Sequence, residues 1–115
     1  MANDSDSSLL AISPLDGRYQ NKCNDLAPYF SEFALMRYRV LVEIKWLEML
    51  AAHEGIKELD AISKDGLNYL SELVEQFSIA DAKRIKEIES TTNHDVKAVE
   101  YFIKEKFDAL NLKEY

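Results

Sequence analysis

The chain has 115 residues, and 47% of them are hydrophobic. This is enough for one domain with a buried core. Its 21 acidic residues outnumber the 14 basic ones, which gives a net charge of -7 at pH 7. Such an acidic balance argues against general binding to nucleic acids or to anionic membranes. Local basic residues can still hold a single phosphate.

The cysteine and histidine content excludes two further classes of protein. Cys23 is the only cysteine, so no intrachain disulfide is possible and we expect a reducing compartment. Two distant histidines and one cysteine give no recognisable metal-ligand spacing, so no metal site is predicted. No apolar run approaches the length of a membrane span, and residues 1–8 are unlike a targeting signal. We therefore expect a cytoplasmic protein.

Glycine and proline are rare and fall where turns are needed. Three glycines and two prolines in the whole chain favour an all-α domain. Residues 1–8 form a Ser/Asp-rich segment that we predict to be a flexible tail, and residues 9–115 form the helical domain. Nothing beyond Leu112 resembles a closing turn or cap. We therefore expect the chain to be a fragment of a longer protein.

The segment Ser13 to Tyr19 has the composition of a tight turn. Pro14 suits the second position of a turn, and Gly17 can adopt a positive φ, so that Arg18 and Tyr19 are presented from a loop. One interpretation is an ordinary surface turn. The other is a clamp for a phosphate or carboxylate, since a guanidinium and a phenolic hydroxyl both donate hydrogen bonds.

The longest predicted element is a helix. A short helical turn from Asn24 to Tyr29, ending near Pro28, precedes it. Ser31 is placed to cap the long helix, which we expect to run to about Glu54 and to stop at Gly55. At ~1.5 Å per residue such a helix is roughly 35 Å long.

Apolar residues cover more than one face of this helix. One stripe contains Phe33, Val40, Ile44, Leu47 and Ala51, and the other contains Leu35, Val42, Trp46, Met49 and Leu50. Two accounts fit this pattern equally well. Either the helix is buried within the domain alone, or its second stripe contacts another domain or subunit.

Three amphipathic helices are predicted after the long one. Ser63 caps the first, Ser78 and Asp81 form a capping box that opens the second, and the last begins at His94 or Asp95. The second is expected to end near Ser90 and the last near Leu110. The residues predicted to face inward are Leu67, Leu70, Leu73, Val74 and Phe77, then Ile79, Ala82, Ile85 and Ile88, and finally Val96, Val99, Tyr101 or Phe102, Ile103 and Phe107. The charged residues of the second helix, including Lys83, Arg84 and Glu87, are predicted to form a solvated face.

The stretch from Ser90 to Tyr101 has the pattern of a helix N-terminus. Thr92 and Asp95 have the capping-box spacing, and Asn93 is an equally good cap. His94 then falls in the first turn, where free N–H groups and the helix dipole attract anions and disfavour an imidazolium. We therefore predict a neutral His94 within a small anion-recognition site.

Three separate blocks resemble one family. They are Ser13 to Tyr19, Tyr29 to Phe33 leading into Val42 to Leu47, and Thr91 to Phe102. In order and spacing they resemble the adenylosuccinate lyases of bacterial purine biosynthesis, which belong to the fumarase/aspartase superfamily. The resemblance implies the N-terminal helical domain of such a lyase, with one long helix and several shorter ones.

The resemblance also implies an activity. Enzymes of this family release fumarate from adenylosuccinate to give AMP and from SAICAR to give AICAR, without a cofactor, and act as homotetramers. Their catalytic base, a serine, and their catalytic acid, a histidine, lie in later segments, so no catalytic residue is expected in this chain. A non-catalytic helical interaction module derived from the same superfamily is the alternative.

The residues that match the family are substrate-binding ones. By resemblance Arg18 and Tyr19 hold the nucleotide at its phosphate, and Asn93, His94 and Asp95 line the substrate pocket. A carboxylate repels an anionic ligand, so Asp95 should orient His94, cap the helix or accept from a ribose hydroxyl. Whether His94 also transfers protons is left open by the sequence.

Three other residues carry weaker signals. His53 lies at the end of the long helix and is interpreted as a surface or helix-dipole residue. Lys97 and Glu100 follow His94 on the same helix. They either support the pocket residues or form a solvent-facing pair.

Overall fold

A computed structural model describes residues 4–109, and these residues contain helices and turns but no strand. Helices α1 to α7 span Asp4–Leu10, Gln20–Cys23, Ala27–Phe30, Glu32–Ala52, Lys64–Glu75, Ile79–Thr92 and Asp95–Ala109, and two 3₁₀ turns span Pro14–Asp16 and Asn24–Leu26. The predicted all-α class is thereby confirmed. The chain divides into two compact units, one up to Ala34 and one from Leu35.

Two predictions for the chain ends concern residues that lie partly outside the described range. Of the predicted tail, residues 1–3 lie outside the described part, and residues 4–8 belong to α1. The predicted end of the last helix near Leu110 and the ending from 111 to 115 also lie outside it. None of the helices within residues 4–109 is both long and apolar enough to cross a bilayer.

The turn before Arg18 is built differently from the prediction. Gly17 has φ -120°, so the expected positive φ is wrong. A Cβ at this position would overlap the backbone carbonyl oxygen of Ser8, and the glycine therefore permits a close approach of two chain segments. Ser13 caps the 3₁₀ turn through its Oγ, which accepts from the Leu15 N–H at 3.2 Å.

The start of the long helix is confirmed, and the residues from Asn24 to Tyr29 are helical as predicted, but the predicted end near Pro28 is wrong. Pro28 lies in the first turn of α3 and does not end a helix, because a proline in that position lacks only an N–H that has no helical partner. Ser31 then caps α4, since its Oγ accepts from the Ala34 N–H at 3.0 Å. Helix α4 ends at Ala52, two residues before the predicted end.

The two apolar stripes of α4 differ in burial. Val40, Ile44 and Ala51 of the first stripe are buried. In the second stripe Leu35, Val42, Trp46 and Met49 are between 49% and 63% exposed. Burial within the domain alone is therefore wrong for these four side chains. An apolar surface of this helix remains open to a partner.

Serine caps begin the next two helices as predicted. The Ser63 Oγ accepts from the Gly66 N–H at 3.1 Å at the start of α5. At α6 the Asp81 N–H donates to the Ser78 Oγ at 3.2 Å, and the Ser78 N–H donates to the Asp81 carboxylate at 3.0 Å. The predicted capping box is thus complete.

The core of the unit from Leu35 is formed by side chains of all four of its long helices. Its fully buried large side chains are Val40, Ile44, Leu70, Ile85, Val99 and Phe102. Phe102 packs edge to face against Phe77, with ring centroids 6.0 Å apart. Of the two predicted alternatives, Phe102 is the buried residue and Tyr101 is exposed.

Three residues predicted to face the core are exposed. Leu67, Ile79 and Val96 all lie near the start of their helices. Helical side chains point toward the N-terminus, so those in the first turn extend beyond the layer that the neighbouring helices cover. Periodicity alone contains no information about where that layer ends.

Helices α6 and α7 are also joined by ion pairs. The Arg84 Nε lies 3.1 Å from Glu105 Oε2, and a second guanidinium nitrogen contacts the other carboxylate oxygen. Arg84 belongs to the predicted solvated face, since its side chain is 42% exposed, and it also pairs with α7. Its hydrogen bonds hold the pKa of the Glu105 carboxyl below its ordinary value. Lys106 and Asp81 form a longer pair at 3.7 Å.

Replacing Phe102 tests the assignment of the core. We expect Phe102→Ala to lower the free energy of unfolding by about 3–5 kcal/mol, because it removes a fully buried ring and leaves a cavity. The neighbouring Tyr101→Ala is the matched control and should change it by less than about 0.5 kcal/mol. Urea unfolding followed by circular dichroism measures both. Equal losses in the two variants would contradict the assignment.

Candidate functional site

Arg18 and Tyr19 form one cluster with Lys22 in the unit up to Ala34. The Arg18 guanidinium lies 5.2 Å from the centroid of the Tyr19 ring, and the Lys22 ammonium lies 5.9 Å from it. The backbone N–H of Tyr19 donates to the Pro14 carbonyl at 2.9 Å, which attaches the backbone of Tyr19 to the preceding 3₁₀ turn. We call these three residues the Arg18 cluster.

The Arg18 cluster has the chemistry of an anion site. All three side chains are exposed, and two cations flank one aromatic ring. A phosphate or carboxylate can therefore receive charge-assisted hydrogen bonds from the guanidinium and the ammonium. Sequence reasoning missed Lys22, although its position three residues after Tyr19 is a spacing that brings side chains together on a helical turn.

Asn93, His94 and Asp95 lie together in the unit from Leu35, where α6 turns into α7. Helix α6 continues to Thr92, two residues beyond its predicted end. Asn93 then adopts a left-handed conformation with φ 54°, and its N–H donates to the Glu89 carbonyl at 2.8 Å. Asn93 is therefore the C-cap of α6, not the predicted N-cap of α7.

His94 is the residue that caps α7. Its Nδ1 accepts a hydrogen bond from the Lys97 N–H at 3.1 Å, three positions along the chain. The predicted capping box of Thr92 and Asp95 is wrong, because Thr92 still belongs to α6. The Thr92 Oγ1 instead accepts from the His94 N–H at 3.3 Å and donates to the His94 carbonyl at 3.2 Å.

The cap fixes the tautomer of His94. A nitrogen that accepts a hydrogen bond carries no proton, so a neutral His94 carries its proton on Nε2. The ring is exposed, and its Nε2–H can donate to a ligand. Because the ring also stands at the positive end of α7, the acceptor that suits it best carries negative charge.

Both carboxylate oxygens of Asp95 have partners. Oδ1 accepts from the Val96 N–H at 2.9 Å, and Oδ2 lies 2.9 Å from Arg39 Nη1 on α4. The Val96 hydrogen bond and the Arg39 guanidinium hold the pKa of the Asp95 carboxyl below its ordinary value. The contact with Val96 agrees with a role at the helix start. The contact with Arg39 was not foreseen.

The weaker candidates take structural roles. Lys97 and Glu100 form an ion pair at 2.7 Å, and both are exposed, which confirms the solvent-facing alternative. His53 follows the end of α4, is exposed, and accepts from the Gly55 N–H at 2.9 Å.

A groove between α6 and α7 contains an arginine whose charge is already balanced. Thr91, Thr92 and Arg84 line it. The guanidinium of Arg84 already contacts Glu105 and, at 3.1 Å, Glu87, so that its charge is balanced. Residues 4–109 contain no group of three side chains placed to hold a metal ion.

The lowered pKa of Asp95 predicts a pH dependence of stability. The ionised carboxylate stabilises the folded chain above the ordinary pKa of about 3.9, and this contribution is lost as the pH falls through the lower folded-state pKa. We therefore expect Asp95→Asn to be less stable than the wild type at neutral pH, and the difference to shrink below about pH 4 and to vanish only when the pH lies below the lower folded-state pKa. Urea unfolding across this range measures it.

Asp65→Asn provides a matched control for Asp95→Asn. Asp65 also lies in the first turn of a helix, but the described residues place no arginine against it. Its substitution should lower the stability at neutral pH by less than Asp95→Asn does, since no arginine contact is lost. A defect of Asp95→Asn that stays constant through acid conditions would show that shape, and not charge, is responsible.

Known proteins match most of this chain. Over 100 residues it is 58% identical to an adenylosuccinate lyase of Escherichia coli strain K12 and 56% identical to one of Legionella pneumophila strain Corby. Each match covers 87% of this chain and 22% of the relative. An adenylosuccinate lyase of Vibrio cholerae is 55% identical over 104 residues, which cover 90% of this chain and 23% of the relative.

No protein-family model matches the chain. The similarity to these lyases nevertheless includes both the Arg18 cluster and the α6–α7 turn, because a match over 87% of the chain leaves too few residues to omit either. The chain spans about 22% of the length of these curated relatives. Over most of its own length, this chain is similar in sequence to adenylosuccinate lyases.

Proposed function

We propose that the chain is the N-terminal substrate-binding part of an adenylosuccinate lyase. Such an enzyme eliminates fumarate from adenylosuccinate to give AMP and from SAICAR to give AICAR. The observation that carries the proposal is the identity of 55–58% to these lyases over most of the chain. The chemistry of the described residues supports it, since both clusters suit an anionic ligand.

The Arg18 cluster is proposed to bind the phosphate of the nucleotide. A phosphate carries up to two negative charges and several acceptor oxygens, which the guanidinium, the ammonium and the Tyr19 hydroxyl can all contact. The exposure of the three side chains leaves them accessible to a ligand. This role needs charge and hydrogen bonding only, and no proton transfer.

The α6–α7 turn is proposed to hold the substrate by hydrogen bonds. His94 donates through Nε2–H, and the exposed Asn93 amide can both donate and accept. Elimination of fumarate also requires a base that removes a carbon-bound proton and an acid that protonates the departing nitrogen. We assign both to other segments of the lyase, because the resemblance to the family implies a catalytic serine and a catalytic histidine in later segments. No cofactor is needed for this chemistry.

The full-length protein is proposed to be a cytoplasmic homotetramer. Support comes from the second stripe of α4, where Leu35, Val42, Trp46 and Met49 expose about half or more of their surface. An apolar stripe along a long helix favours association with further helices. The remainder of the lyase and its neighbouring subunits are the partners that the proposal requires.

A fumarate assay separates the chain from the complete lyase. We expect the 115-residue chain alone to release no fumarate from adenylosuccinate, because the acid and base lie elsewhere. The full-length protein should release fumarate from both adenylosuccinate and SAICAR, as followed by ultraviolet absorbance. Turnover by the chain above a buffer blank would refute the division of roles. A full-length protein without activity would favour a helical interaction module.

Substitution of His94 tests its role apart from its cap. His94→Asn keeps a side-chain acceptor that suits an N-cap but lacks the Nε2–H, whereas His94→Ala removes both. We expect kcat/KM of the full-length protein to fall by about 10- to 100-fold in both variants, since a hydrogen bond to a charged ligand is lost. Only His94→Ala should also lower the melting temperature.

The two readouts distinguish binding from structure. If His94→Asn retains wild-type kcat/KM while His94→Ala loses stability, His94 is a capping residue only. Steady-state kinetics and thermal unfolding on the same preparations give both values.

A further inference from the structure

The α6–α7 turn is anchored from a third helix. Arg39 extends from α4, and its Nη1 lies 2.9 Å from Oδ2 of Asp95, the first residue of α7. The Arg39 side chain is only 28% exposed. It lines a small groove with Val42, Val96 and Val99, so the long side chain packs along apolar surface while its head reaches the carboxylate. Such packing restricts the rotamers of Arg39.

This contact acts on the residues proposed to bind substrate. Asp95 directly follows His94, and its Oδ1 already accepts from the Val96 N–H. With Oδ2 held by Arg39, neither carboxylate oxygen is left without a partner, and the carboxylate is held at the helix start. The His94 ring, fixed by its own hydrogen bond to the Lys97 N–H, stands beside a carboxylate whose two oxygens both have partners.

The second consequence of the Arg39–Asp95 pair is that the charge of the carboxylate is balanced. A free carboxylate next to His94 would repel an anionic ligand and would weaken the positive end of α7. The guanidinium balances that charge at a distance of 2.9 Å. The pair therefore lets an acidic residue stand at an anion-binding turn without opposing the ligand.

We propose that Arg39 is a positioning residue for substrate binding: through Asp95 it fixes the α6–α7 turn and neutralises the carboxylate beside His94. The inference rests on the proposed function, since it assigns the turn to the substrate. Arg39 does not touch the ligand in this account. Its effect is on the affinity of the turn for an anion.

The competing account is a surface ion pair that contributes only to stability. Pairs of this kind are worth little, and Asp95 is 52% exposed. A purely structural role would lower the fraction of folded protein and the melting temperature, but the folded molecules would bind substrate with unchanged KM. The KM for adenylosuccinate therefore separates the two accounts.

The test uses the full-length protein with four substitutions. We expect Arg39→Ala to raise the KM for adenylosuccinate by about tenfold with kcat changed by less than about threefold, as for the loss of one coupled interaction. Arg37→Ala is the matched control. Arg37 has the same charge and lies on the same helix, but it stacks on Tyr38 at 5.9 Å. Its KM should stay within about twofold of the wild type.

Two further variants test the route through Asp95. Arg39→Lys should restore KM to within about threefold of the wild type, because a single cationic contact is retained. In an Asp95→Asn background, Arg39→Ala should change KM by less than about twofold, since the charge on which Arg39 acts is gone.

The outcomes for Arg39 differ from those for the proposed function. An active wild type whose KM is unchanged by Arg39→Ala, or whose KM rises equally with and without the Asp95 carboxylate, overturns the role of Arg39 alone. An inactive wild-type protein overturns the proposed function itself. A tenfold rise in KM that Arg39→Lys reverses and Asp95→Asn abolishes supports both.

Discussion

Two residues connect α6 to α7, and the unit from Leu35 depends on how they do so. Asn93 must end one helix and reverse the chain, and His94 must begin the next. The first task needs a residue in the left-handed backbone conformation, which asparagine adopts more readily than most other residues. The second needs an acceptor for a free N–H, which the imidazole supplies. With so short a connection, α7 packs back against α6, and Phe102 reaches the core beside Phe77.

The same constraint determines the chemistry that the turn can offer. An imidazole that caps a helix through Nδ1 is held in one orientation and in one neutral tautomer, with a single donor directed outward. The cap uses Nδ1 of His94, and the proposed hydrogen bond to substrate would use Nε2 of the same ring. An aspartate would cap α7 as well but, as an ionised carboxylate, would leave no donor for a ligand. This explains why a residue uncommon at N-caps can suit this position.

The sequence predicted the fold well where one local rule operates. Caps at Ser31, Ser63 and Ser78 follow from hydroxyl groups placed before apolar runs, and each was confirmed. Prediction failed where tertiary packing decides, as for Ile79 and Val96, which have the helical spacing of core residues but are exposed. The candidate site shows the same division: the α6–α7 boundary was located to within two residues, yet its cap was assigned to the wrong side chain.

Arg39 illustrates why part of a site stays hidden in a single sequence. Nothing near residue 39 marks it for binding, and its partner Asp95 lies far along the chain, so only the packing of α4 against α7 brings them together. The sequence did indicate that Asp95 needs an explanation, because a carboxylate beside a proposed anion site would repel the ligand. The answer that we propose is electrostatic: in a chain with a net charge of -7, an anion is held more readily where nearby carboxylates are balanced by cations. A cation from another helix is the simplest means of doing so, since a cation within the turn would compete with His94 for the ligand.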